Sequence, residues 1–344
     1  MLISEFDYDL PAELIAQNPL ENREDSRMLA VNRAAKNFRD ERFYNFPRFL
    51  KKGDVVVLNN TKVFPARLFG TSETGARIEI FLVREIENQT WETLARPGRR
   101  LKIGKKISFG EKLSAQITDK TGEGRVVVKF ANGNEDFDDI LEAIGQTPLP
   151  PYIKRDGGMT GADKNRYQTV FAKQRGAIAA PTAGLHFTPE ILDEIKNLGA
   201  SVAEITLHVG YGTFEPVRVS DLSEHRVMPE RCEISDTTAR VLNEAKSENR
   251  RIIAIGTTTT RALESSIDGS GKVSAGVRSA DLTITPDYKF KVINGLLTNF
   301  HLPQSSLLVL VSTFAGYDLT MKTYRHAVES NYRFYSYGDC MLII

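Results

Sequence analysis

Between residues 62 and 130, hydrophobic and polar positions alternate in short runs, at 77–83, 90–95, 106–109, 113–117 and 125–130. A period of two buries one face of each run and wets the other. Several such runs separated by glycine-containing turns predict a small all-β barrel or sandwich. From about residue 176 the pattern becomes strand followed by helix. Thr188, Pro189 and Glu190 supply an N-cap, a first-turn proline and an early acid. Ile191, Leu192, Ile195 and Leu198 share one helical face, and Gly199 supplies the stop. Farther on, residues 202–209, 251–255 and 293–297 read as strands, and 236–248, 258–265 and 306–315 as helices. Residues 9–17 read as a capped short helix and 54–58 as a buried strand, so the opening segment joins the same layer. The expected fold is α/β with two domains. A barrel-like domain of strand-helix repeats, residues 1–65 and 150–344, is interrupted by a small β-barrel domain at 66–149.

Composition adds limits. With 344 residues, 41% of them hydrophobic, the chain can bury two cores. Its 45 basic and 44 acidic residues leave a formal charge of +1, so any attraction to a polyanion must come from local patches. Cys232 and Cys340 stand far apart, which excludes a disulfide scaffold and a Cys-rich zinc site and suits a reducing compartment. No long apolar run exists and the first residues carry acids, so a soluble, cytoplasmic protein without membrane contact is expected.

Candidate chemistry concentrates in four places. Residues 176–188 contain Thr182, Ala183, Gly184, His186 and Phe187, and residues 208–214 contain His208, Gly210, Gly212, Thr213 and Phe214. Glycine, hydroxyl, imidazole and aromatic groups in few positions suit a backbone that approaches a ligand closely. Ala203, Ile205, Leu207 and Val209 form one face of their strand, so His208 emerges from the other at the carboxyl edge, where open α/β sheets place ligands. A histidine that merely caps its strand is the plainer reading. The Gly210 and Gly212 pair lacks the third glycine of a dinucleotide fingerprint. Gly256 followed by Thr257, Thr258, Thr259, Thr260, Arg261 and Glu264 gives a strand, a glycine, hydroxyls and a helix start, which suits an anion. The plainer reading there is a threonine cap with an exposed ion pair between Arg261 and Glu264. Asn299 and His301 again lie between a strand and a helix. His186, His208 and His301 can converge in one cleft, each able to exchange a proton near neutrality. No spacing of histidine and acid suits a metal, and none is expected. Arg96, Arg99, Arg100, Lys102, Lys105 and Lys106 form a cationic stretch on the β domain. Lys154, Arg155, Lys164, Arg166, Lys173 and Arg175 form another beside the candidate floor. Such runs are commonly solvated faces, but two on a neutral protein make a phosphate backbone a reasonable partner.

Taken together, blocks along nearly the whole chain resemble the S-adenosylmethionine:tRNA ribosyltransferase-isomerase family of the queuosine pathway. The blocks are residues 7–17, Ser26 and Arg27, 59–63, Pro65 to Arg67, 95–98, 148–154, 165–169, 181–188, 208–214, 256–265, 299–303 and 337–339. Asn60 departs from the pattern, where an aspartate is expected, and Cys340 replaces an alanine. The resemblance implies transfer and isomerisation of the ribosyl part of S-adenosylmethionine onto a 7-aminomethyl-7-deazaguanine at the tRNA wobble position, with adenine and methionine leaving. S-adenosylmethionine is then a consumed substrate, no other cofactor is needed, tRNA is the partner, and a monomer is expected. A base must take the acidified ribose proton, and donors must meet developing negative charge. His186 or His208 would be that base, with Glu264, Asp339 or His301 in reserve. Phe187 and Phe214 would face the sulfonium, and the turn from Gly256 to Arg261 would hold the methionine carboxylate. Thr182, Ala183, Gly184, Gly210, Gly212, Thr213, Thr258, Thr259, Arg261, Asn299 and His301 would line the substrate site. Arg67, Arg96, Arg99, Arg100, Lys102, Lys154 and Arg166 would meet RNA. Without the resemblance, an S-adenosylmethionine-dependent tRNA methyltransferase and a non-enzymatic RNA-binding protein compete for the same residues.

Overall fold

In the computed structural model, described at residues 1–98, 101–121, 124–155, 161–214 and 217–344, two sheets carry the fold. The larger has nine strands. In chain order these are β1 (Arg27–Asn32), β2 (Asn37–Arg42), β3 (Val55–Asn59), β12 (Ser201–Leu207), β13 (Glu230–Ile234), β14 (Ile252–Ile255), β15 (Gly276–Ala280), β16 (Gly295–Asn299) and β17 (Cys340–Ile343). They stand side by side in the order β15-β13-β12-β3-β14-β16-β17-β1-β2. The barrel-like closure expected of the strand-helix repeats is absent. The sheet has two edges, β15 and β2, because antiparallel pairs end the parallel run β12, β3, β14, β16 on either side.

Both faces of this sheet are covered. Val55 and Val57 enter one apolar cluster while Val56 and Leu58 enter another, so β3 reads as an unbroken apolar run rather than an alternating one. The second cluster also holds Ile191 and Ile195 of the helix Pro189–Asn197 and the rings of Phe43, Phe46 and Phe187. That helix starts as its sequence requires, the Thr188 side chain accepting from the Ile191 N–H, and ends at Gly199 with φ +79°.

The smaller sheet is a closed barrel inserted after β4 (Thr61–Val63). Its strands are β5 (Arg67–Ser72), β6 (Arg77–Glu87), β7 (Thr90–Arg96), β8 (Lys106–Ser108), β9 (Ser114–Lys120) and β10 (Val126–Ala131), joined in the order β10-β7-β6-β5-β8-β9 and closed by β9 against β10. Leu68, Ile80, Ile107, Ile117 and Val128 fill it, joined by Ile140 and Leu141 of the helix Phe137–Ile144. The chain returns through β11 (Gln174–Ala177), which pairs in parallel with β4. The short helix expected at 9–17 is instead a single 3-10 turn, Ala12–Leu14. Backbone bonds from Ala16 N–H to Phe334 O and from Phe334 N–H to Leu14 O draw the segment into an extended bridge. The strand expected at 293–297 lies two residues later, since pairing with β14 sets Ile253 opposite Gly295.

Candidate active site

The parallel strands β12, β3, β14 and β16 all end at one edge of the large sheet, and a cavity of about 410 Å3 opens there. Its floor is Ala179, Ala180, Pro181, Thr182 and Ala183, the run leading into the 3-10 turn Thr182–His186. One wall is Gly256, Thr257 and Thr258 at the start of the helix Thr257–Glu264. The opposite wall is Thr298, Asn299, Phe300 and His301 beyond β16, and Tyr152 and Tyr335 close the far end. Gly256 has φ +93°, a conformation that lets β14 turn directly into the helix. Its N–H donates to Leu297 O at 2.8 Å. Thr259 and Thr260 turn their hydroxyls back onto Ile255 O (2.6 Å) and Gly256 O (3.1 Å), which braces the turn. Thr257 and Thr258 are left at the cavity mouth with the helix N-terminus.

His301 is the histidine of this lining among the described residues. Its Nε2 lies 2.9 Å from Thr298 Oγ1, its N–H donates to the Tyr324 hydroxyl, and its carbonyl accepts from Tyr8. Burial pushes its pKa down to about 3, so the ring is neutral at working pH. Beside it, Asn299 Nδ2 donates to Tyr335 O at 3.0 Å, while Asn299 Oδ1 is buried with no hydrogen-bond partner among the described residues.

Several expected site residues stand elsewhere. His186 is buried behind the floor with both nitrogens engaged, Nδ1 at 2.7 Å from Ser26 Oγ and Nε2 at 3.3 Å from Asn299 Nδ2. With Asn299 donating to Nε2, Nδ1–H faces Ser26, whose hydroxyl points on to Arg23 O. Burial, with Arg23 and Arg333 nearby, lowers its pKa to about 3. It has no free lone pair to offer as a base. His208 also lies outside the cleft lining, its Nδ1 at 2.9 Å from Thr61 Oγ1, and burial beside Arg231 lowers its pKa. Phe187 is a core ring packed on Phe43 and Phe46, so it does not face a sulfonium. Gly184 is a packing glycine, since a Cβ there would meet Phe171 at 2.7 Å.

Arg261 is committed internally. Nη1 bonds Glu230 Oε2 at 2.7 Å, Nη2 reaches Ala280 O and Met228 O, and Nε reaches Leu282 O. Glu230 Oε1 in turn accepts from the Gly210 N–H. The carboxylate of Glu264 accepts from the Tyr288 hydroxyl and from the N–H groups of Lys291, Val292 and Ile293. It fastens a loop rather than meeting a substrate. The exposed pair expected between Arg261 and Glu264 is therefore not formed, because each side chain faces a different buried partner. Gly212 and Arg261 line a second cavity of about 350 Å3, which shares Ser306 and Leu307 with the first. The side chains of Thr213 and Phe214 lie outside the described residues.

Among the expected RNA contacts, Arg96, Lys102 and Lys154 are exposed, while Arg67 is half-buried beside Glu79 at 3.3 Å. Arg166 is tied down by the carbonyls of Leu20 and Glu21, and is not available to a phosphate. Arg99 and Arg100 lie outside the described residues. Sequence reasoning missed Tyr152 and Tyr335, whose rings meet edge to face at 4.0 Å. Tyr152 falls in the proline-rich block at 148–154, which was a usable signal, whereas nothing in the sequence marks Tyr335.

The fold is a mixed α/β sheet with a cavity at the carboxyl ends of its parallel strands and an inserted β-barrel. A model of the queuosine biosynthesis protein family matches residues 3–343, and the chain belongs to that family. It is 49% identical over 346 residues to the S-adenosylmethionine:tRNA ribosyltransferase-isomerase of Desulforamulus reducens, and 48% identical to that of Halothermothrix orenii, with 100% of each chain covered. The crystal structure of S-adenosylmethionine tRNA ribosyltransferase from Thermotoga maritima is 36% identical and superposes with a TM-score of 0.57 over 99% of this chain and 100% of that one. Among the described residues, no helix is long and apolar enough to cross a membrane, and no group of three or more His, Cys, Asp or Glu is placed to hold a metal.

Proposed function

We propose that the cleft binds S-adenosylmethionine and that the protein is an S-adenosylmethionine:tRNA ribosyltransferase-isomerase. It moves and isomerises the ribosyl moiety onto 7-aminomethyl-7-deazaguanine at the tRNA wobble position, giving epoxyqueuosine-tRNA and releasing adenine and methionine. The observation that carries this is the meeting of Thr258, a helix start, Asn299 and His301 over an alanine-proline floor in one cavity, in a chain related over its full length to enzymes of that name.

S-adenosylmethionine is consumed as substrate, with no further cofactor. The N-terminus of the helix Thr257–Glu264 and the Thr258 hydroxyl receive its carboxylate. The flat apolar floor takes the adenine. His301 is a positioning group. A pKa of about 3 makes its nitrogen a poor proton acceptor, and a neutral ring fixed by Thr298 can orient the ribose. tRNA approaches over Arg67, Arg96, Lys102 and Lys154. Residues 1–65 and 150–344 form the catalytic unit and 66–149 the accessory barrel. Ile140 and Leu141 pack into the barrel core, which Phe64 and Ile178 of the catalytic unit also join.

The test is a product analysis with S-adenosylmethionine and an anticodon stem-loop carrying the aminomethyl base. Adenine plus methionine is the expected result. S-adenosylhomocysteine indicates a methyltransferase, and an intact sulfonium a non-enzymatic binder.

A further inference from the structure

The barrel face nearest the cleft differs from the polar exterior a small barrel ordinarily shows. Leu68 and Ile80 point into the barrel core, so the alternation of strands β5, β6 and β7 places Arg67, Phe69, Glu79, Phe81, Leu94 and Arg96 on the opposite face, where Phe81 is buried and Leu94 partly buried while still lining a cavity. Strand register sets these in two cross-strand rows, Phe69 with Glu79 and Arg96, and Arg67 with Phe81 and Leu94. The rows floor a cavity of about 390 Å3 whose other walls include Gln146, Leu149 and Tyr211. Tyr211 stands edge-on to Phe81, with ring centroids 5.9 Å apart. Pro151 lines both this cavity and the cleft, so the two share a wall.

We propose that this groove is the recognition subsite for a guanine-type base drawn out of an RNA loop, a proposal that rests on the transfer reaction above. Three features carry it. Aromatic side chains at the base of a groove stack an unpaired base. Glu79 presents two acceptor oxygens side by side, held by Arg67 at 3.3 Å. Among the common bases, the guanine class alone offers two adjacent donors on its Watson–Crick edge, the ring N1–H and the 2-amino group. Adenine, cytosine and uracil each offer one donor group there. The Gln146 amide can donate to the guanine O6. Arg96, exposed at the mouth and without an ion pair among the described residues, can meet a flanking phosphate. The shared wall at Pro151 puts a base in the groove beside the reacting sugar.

The experiment compares the affinities of two anticodon stem-loops that differ only at the wobble position, guanosine or inosine, the latter lacking just the 2-amino group. The parent protein binds the guanosine loop about tenfold more tightly. In Glu79→Gln that preference falls to about twofold or less. Leu94→Trp, which fills the groove without removing a polar group, weakens both loops about tenfold or more. Unchanged S-adenosylmethionine affinity shows that both variants are folded. Equal binding of the two loops by the parent, or a preference that survives Glu79→Gln, overturns the subsite. Adenine release by the parent with the modified stem-loop is measured in parallel. Normal release alongside a missing preference therefore rejects the subsite and leaves the reaction standing.

Discussion

The imidazole of His208 is seated on the backbone of Gly176: a Cβ built there would lie 2.7 Å from ring atoms Cε1 and Nδ1. Gly176 has φ +153°, at the limit of what a residue with a side chain adopts. The glycine of β11 thus holds the histidine that follows β12 against Thr61. Gly176→Ala is expected to displace the ring, break the bond to Thr61 and destabilise the fold by about 1–3 kcal/mol. Chemical denaturation together with the His208 ring resonances checks this, and an unmoved ring would show that the contact is slack.

Arg261→Ala should act on stability before it acts on binding. Removing the guanidinium takes from buried Glu230 its 2.7 Å ion pair, a loss that typically costs about 3–5 kcal/mol. A variant with parental stability and only a weaker affinity for S-adenosylmethionine would restore Arg261 to the role of a carboxylate clamp.

Adjacent threonines should separate cleanly. Thr258→Val removes a hydroxyl from the cavity wall and should raise the S-adenosylmethionine dissociation constant about tenfold at little change in melting temperature. Thr259→Val removes a hydroxyl bonded to Ile255 O inside the turn, so stability should fall while affinity holds. Calorimetric titration and thermal melts on both variants decide the assignment.

Acid lability follows from His186. Its folded pKa of about 3 lies below the ordinary histidine value of 6.5, so the folded state binds fewer protons than the unfolded chain between those limits. The contribution of His186 to stability is complete above pH 6.5 and falls by about 1.4 kcal/mol per pH unit as pH drops toward 3. His186→Gln should be less stable at pH 7 and have a shallower slope. Identical slopes in denaturant titrations from pH 7 to pH 4 would contradict the buried neutral ring.

On the barrel, Arg96→Glu and Lys102→Glu should weaken tRNA binding and reduce the slope of log K against log salt by about 1 each. Affinity for S-adenosylmethionine should not move. Unchanged tRNA affinity at low salt assigns the RNA path to another face.

The strands of the barrel were legible because a half-buried strand alternates, as Ser114–Lys120 does where Ala115 and Ile117 are buried between exposed Ser114, Gln116 and Thr118. The helix Pro189–Asn197 was legible because its cap, first-turn proline and stop glycine all agree. The long helix Tyr317–Glu329 was missed: it follows the previous helix after Gly316 alone, without a side-chain cap, so no polar break announces it. The site was legible as segments and illegible as directions. Sequence placed His186, His208 and His301 at strand ends, but which ring faces the cleft depends on Ser26, Thr61 and Thr298, partners that only the folded chain supplies. Arg261 and Glu264 sit one turn apart, and what they bond lies on other elements, Glu230 for one and the loop at 288–293 for the other.

The pairing of β4 with β11 sets Thr61 beside Gln174, so the strands leading into and out of the barrel lie next to each other. For the large sheet, everything between them is topologically one short loop. Closing a longer loop adds only slowly to its entropy, about 0.6 kcal/mol for each doubling of length. The barrel can therefore differ in length or content while every register of the large sheet stays intact.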